Sequence, residues 1–130
     1  MLPLTAEWVE KAEEDLQVVR RELRVRVNPA YGAACFHAQQ CAEKYLKALL
    51  TESSISFPRS HNLVELAKLL IPSEPAWALI EPDLGVLNLY AVTIRYPGAT
   101  ANRATAKDAL KIGREVRRRA RAQLGLPLEP

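Results

Sequence analysis

Four polar side chains recur at helical spacing in the first half of the chain: His37, Gln40, Lys44 and Lys47. At 100° per residue they share one narrow ridge with Thr51, while Ala38, Ala42, Tyr45, Leu46 and Leu49 fall on a broad apolar arc. An imidazole, an amide and two ammonium groups on one ridge offer donors and positive charge to an anionic ligand. The same pattern describes the solvated face of an amphipathic helix, and spacing alone does not choose between them. Gln39 lies inside the apolar arc, so burial obliges it to find hydrogen-bond partners, an unpaired buried amide costing about 1–3 kcal/mol. Glu43 and Lys47, spaced i,i+4 with the acid first, form a favourable pair worth a few tenths of a kcal/mol.

A second set is His61 with the run Arg95-Tyr96-Pro97-Gly98. Chemistry at a phosphate ester without a metal needs a base for the attacking hydroxyl and a cation for the charge developing on phosphorus. Imidazole suits the first task and the forked guanidinium the second, so His61 plus Arg95 meets that inventory. Both residues also have structural readings. A His at a helix start caps the helix or packs on the preceding loop, and Pro97 with Gly98 makes a good helix stop that Arg95 would serve through the last carbonyls.

The third set is a stripe. Lys107, Lys111, Arg114, Arg118 and Arg121 lie within about 80° of arc on one predicted helix, opposite Ala109, Val116 and Ala120. Between positions 103 and 121 eight basic side chains, Arg103 and Arg117 among them, face only Asp108 and Glu115, so a chain of net charge +3 concentrates its positive field near the C-terminus. Such a stripe attracts phosphate-rich polymers in a salt-dependent way, or an acidic partner protein, or simply faces water. Aromatic residues make up 6% of the chain and none interleaves with these arginines, so the stripe is not a base-stacking surface.

Five helical segments must position these groups, and no strand is expected. Thr5 is placed to cap the first, along which Trp8, Ala12, Leu16, Val19 and Leu23 recur on one face. Asn28-Pro29 separates it from the second, expected from about Ala30 to Glu52. Ser60 is placed to cap a short third helix ended by Pro72. A turn containing Pro75 and Pro82 leads to a fourth, Asp83 to Ile94, whose core is apolar nearly all round and fits burial on several sides, a partner chain included. The fifth runs from about Asn102 to Leu124. Long helices with short connections give an all-α antiparallel up-and-down bundle, four main helices plus one short accessory helix, as a single domain over 1–130 with its core at about 5–124. In such a bundle Lys47, Thr51, Arg59, His61, Arg95, Tyr96 and Arg103 are expected at one rim.

The bulk numbers narrow the classes. At 130 residues and 48% hydrophobic the chain is long enough for one core. The absence of an 18-residue apolar run and of a basic head followed by an apolar segment leads to the expectation of a cytoplasmic protein with no membrane span. Cys35 and Cys41 are six positions apart on one helix, too far for a disulfide, and no zinc spacing occurs. No phosphate loop and no carboxylate cluster suited to magnesium is present, so neither a metal nor a cofactor is expected.

The run FHAQQCAEKYLKALL (36–50), the segment RSHNLVEL (59–66) and Arg95-Tyr96-Pro97 together resemble the HEPN domain family, in order and at similar separations, over residues 5 to 122. The resemblance implies a helical bundle that commonly forms homodimers and is associated with nucleotide or RNA binding. Small prokaryotic members are often encoded beside a minimal nucleotidyltransferase, with which they form toxin–antitoxin pairs, and many members are metal-independent ribonucleases. The ribonuclease members carry a His a few residues after the Arg; here Arg95 is followed by YPGATANRAT, without one. On this reading the nucleotide or RNA site draws on His37, Gln40, Lys44, Lys47, Arg95, Tyr96, Arg103, Lys107, Arg114 and Arg118. The rivals are a ribonuclease toxin using Arg95 with His61 or a residue of the second subunit, and a non-catalytic dimeric interaction module.

Overall fold

The computed structural model describes residues 1–94 and 96–128. The elements are α1 (Pro3–Arg24), α2 (Tyr31–Glu52), α3 (Leu63–Leu70), a 3-10 turn (Pro75–Ile80), α4 (Glu81–Thr93) and α5 (Arg103–Leu124), with no strand among the described residues. The helices form the expected up-and-down bundle.

The central helix α2 packs against α1, α3, α4 and α5. Its apolar arc is buried in full, Ala38, Ala42, Tyr45, Leu46 and Leu49 included, and meets Ala12, Leu16 and Val19 of α1, Leu84 and Leu87 of α4, and Ala106, Ala109, Val116 and Ala120 of α5 in one core. Small residues allow the closest approach: a Cβ at Gly113 of α5 would stand 3.3 Å from the Ala38 carbonyl oxygen. Asn102 caps α5 through the Thr105 N–H at 2.8 Å, and Gly125 ends it in the left-handed region at φ 72°.

Several helix ends differ from the sequence expectations. Pro3 starts α1, so Thr5 is buried within its first turn instead of capping it, and the Leu2 N–H is taken by the Glu52 carboxylate at 2.9 Å. Asn28 lies in the connection at φ 49°, while the Ala30 N–H ahead of α2 is held by Glu22 at 3.2 Å. Asn62, not Ser60, caps α3, its side-chain oxygen accepting from Val64 and Glu65; Ser60 instead donates to Glu65 at 2.9 Å. Residues read as a turn before α4 wind into the 3-10 segment, so α4 begins at Glu81.

The single rim does not form. The segment containing α3 and the 3-10 turn reverses the chain without making a full pass, so α4 runs antiparallel to α2 and ends beside its start: a Cβ on Gly32 would stand 3.3 Å from Ile94. Arg103 consequently donates to the Leu23 carbonyl at 3.1 Å, at the end of the bundle opposite Thr51 and Glu52.

Candidate functional site

The ridge of α2 resolves into two ion-paired clusters. Toward α1, Asp15 accepts Lys44 Nζ at 2.6 Å and lies 2.7 Å from His37 Nδ1. Lys47 is buried, its ammonium 3.1 Å from Glu43 and enclosed by the Trp8 and Phe57 rings, 5.6 and 6.0 Å to their centroids. Only partial exposure remains at His37, Gln40 and Lys44.

Glu43 is the residue that sequence reasoning undervalued. Its side chain is 4% exposed, and Lys47 compensates its charge from one oxygen while His61 Nδ1 approaches the other at 3.0 Å. Gln39 is the buried structural amide expected of it, donating to the His61 carbonyl at 2.7 Å and accepting from Gln40 at 2.8 Å. The signal was available: Glu43 falls only 40° from Gln39 on the helical wheel, inside the apolar arc. A carboxylate there needs compensation, and α2 supplies just one cation to it.

His61 itself is 82% exposed. It stands at a cleft of about 430 Å³ between α2, the start of α3 and the last turns of α4. Phe36, Ala91 and Val92 give apolar walls; Gln39, Gln40, His61, Asn62 and Asn88 give polar ones. Asn88 ties the walls together by accepting the Leu63 N–H at 3.0 Å and donating to Asn62 at 2.9 Å. Gln40 Oε1, His61 Nε2 and Asn62 Nδ2 have no hydrogen-bond partner among the described residues. Arg95 lies outside the described residues; Tyr96 is exposed just beyond α4.

The stripe on α5 is narrower than its sequence suggested. Lys107, Lys111 and Arg114 are exposed and make no ion pair among the described residues, whereas Arg118 is bound to Glu115 at 2.6 Å. Arg121 donates to Tyr45 Oη at 3.1 Å and to the Pro127 carbonyl. Arg117 is buried, gripping Glu13 through two bonds of 2.9 and 3.0 Å and the Leu128 carbonyl at 2.8 Å. Burial alone would raise the Glu13 carboxyl, but the hydrogen bonds from Arg117 and Tyr45 outweigh it and hold it below the usual range. Both cysteines are free and buried, and burial pushes the Cys35 thiol up to about 11, so neither is a reactive thiolate. Among the described residues no three His, Cys, Asp or Glu side chains gather as metal ligands, and no helix is long and apolar enough to cross a membrane.

Four helices packed around a central α2 define an all-α helical bundle. The HEPN domain model matches residues 5–123, and the chain belongs to that family. It is similar in fold to the crystal structure of ST0689, an archaeal HEPN homologue, with a TM-score of 0.67 and 23% identity over 92% of this chain and 97% of that one. No curated protein matches the chain.

Proposed function

We propose that this HEPN protein binds a nucleotide or RNA in the cleft between α2 and α4 and acts with a nucleotidyltransferase partner as one half of a toxin–antitoxin pair. The cleft carries the binding reading: aromatic and aliphatic walls accept the face of a base, while Gln40 and Asn62 retain groups for its edge that have no partner among the described residues. Tyr96 and Arg95, the latter outside the described residues, follow α4 in sequence and are assigned to phosphate and sugar contacts. Lys107, Lys111 and Arg114 supply long-range attraction, with Arg118 and Arg103 contributing less because each already has an internal partner. His37, Lys44 and Lys47 act indirectly, by holding Asp15 and Glu43 in place. The partner and the pairing rest on the family alone.

An adjoining face of α4 supports a homodimer. Val86, Leu89 and Val92 are exposed on successive turns, Leu89 at 64%, and Val92 also lines the cleft, so a second copy seated there would border the ligand. Titrating a labelled single-stranded RNA, and separately ATP, across a salt series tests binding. Replacing Lys107, Lys111 and Arg114 by Ala should reduce the slope of log affinity against log salt for RNA by about 2, three phosphates at roughly 0.7 each. No saturable binding of either ligand at low salt refutes the reading.

A ribonuclease, with Arg95 and either His61 or a residue of the second subunit at work, is the second reading. One observation favours it: the outward Nε2 of His61 stands at the cleft without a partner among the described residues.

A further inference from the structure

We infer that Glu43 is a positioning residue that turns His61 into a fixed proton acceptor for a ribose 2′-hydroxyl at the mouth of the cleft. The inference rests on the reading that the cleft takes RNA.

A carboxylate only accepts hydrogen bonds, so an imidazole meeting Glu43 through Nδ1 at 3.0 Å must carry its proton there. In the neutral ring Nε2 then keeps its lone pair, and that nitrogen is the one left without a partner among the described residues. Two further contacts fix the arrangement. The Lys47 ammonium, 3.1 Å away, compensates the Glu43 charge from below, and Gln39 ties the His61 backbone carbonyl to α2 at 2.7 Å. A nitrogenous base oriented through its far side by a buried carboxylate is the arrangement that recurs in unrelated enzymes activating a hydroxyl. The imidazole stands 82% exposed at the mouth of the cleft, within reach of a bound ligand.

The chemistry balances without metal or redox partner. His61 Nε2 removes the 2′-hydroxyl proton as O2′ bonds to phosphorus. The P–O5′ bond breaks, and the departing 5′-oxygen takes a proton from solvent water. The products are a 2′,3′-cyclic phosphate and a 5′-hydroxyl end, and the imidazolium returns its proton to solvent.

The test uses the full-length protein with a single-stranded RNA and the matching DNA, following binding and end-group chemistry separately. The wild type should cleave RNA and leave DNA intact, giving 2′,3′-cyclic ends. Because His61 is exposed, His61→Ala should fold normally and lose roughly 10²- to 10⁴-fold in rate, with partial recovery on adding free imidazole. Glu43→Gln risks misfolding by leaving Lys47 uncompensated, so the paired change Glu43→Gln with Lys47→Met removes both charges together. That variant should keep KM and lose roughly tenfold or more in kcat, the mark of a misoriented base. RNA bound but uncleaved by the wild type overturns the dyad and leaves the binding reading standing, whereas no RNA or nucleotide bound removes both. Cleavage unaffected by His61→Ala, or lost without imidazole recovery, also overturns it.

Discussion

Arg117→Met tests whether the buried ion pair between α5 and α1 holds the bundle together. In the native protein the guanidinium spans α5 to α1, bonding Glu13 at 2.9 and 3.0 Å and the Leu128 carbonyl at 2.8 Å. Methionine fills much of the same volume, so little cavity energy is involved and the loss is electrostatic. Removing one partner of a buried pair costs about 3–5 kcal/mol. Glu13 is 34% exposed and keeps the Tyr45 hydroxyl at 2.6 Å, so water and Tyr45 recover part of this. The expected cost is about 2–3 kcal/mol, which lowers Tm by roughly 8–12 °C for a chain of this size. The pH dependence carries a definite sign. Glu13 is held below its ordinary value in the folded state, so its contribution is present above the unfolded carboxylate pKa and lost as pH falls through the depressed one. Urea unfolding at constant protein concentration should therefore show a constant gap between wild type and variant above about pH 5, closing progressively below about pH 4. A gap under about 0.5 kcal/mol at pH 7, or one that persists undiminished at pH 2, refutes the assignment.

Two further outcomes follow from the packing. Asn62→Ala removes the α3 cap and the acceptor of the Asn88 amide together, and urea unfolding should show a loss of about 1–2 kcal/mol, whereas Ser60→Ala should cost less. Leu89→Asp places a charge on the exposed face of α4 without touching the core. If that face joins two copies, sedimentation should find the wild type dimeric and the variant monomeric with an unchanged circular-dichroism spectrum; a dimeric variant would rule the face out.

Much of the fold was legible because it is written in interactions a few residues apart. The apolar arc of α2, the limits of α5 and its inward face all follow from helical periodicity. The choice of Asn62 over Ser60 was not local in this sense, because Asn62 is held from outside the helix by Asn88, 26 positions on.

The candidate site divides along the same line. The sequence by itself determined the family, the helical elements, the polar ridge of α2 and the cationic stripe of α5. Which charges remain available was decided only in three dimensions, because a charge is spent or free according to what lies opposite it. Arg117 and Lys47 vanish into pairs, Lys107, Lys111 and Arg114 stay exposed, and Asp15 of α1 claims His37 and Lys44. Chain direction decided the rest. With α3 and the 3-10 turn spanning less than a full pass, α4 runs back along α2, and its last turns meet His61 and Asn62 across a cleft that no helical wheel contains.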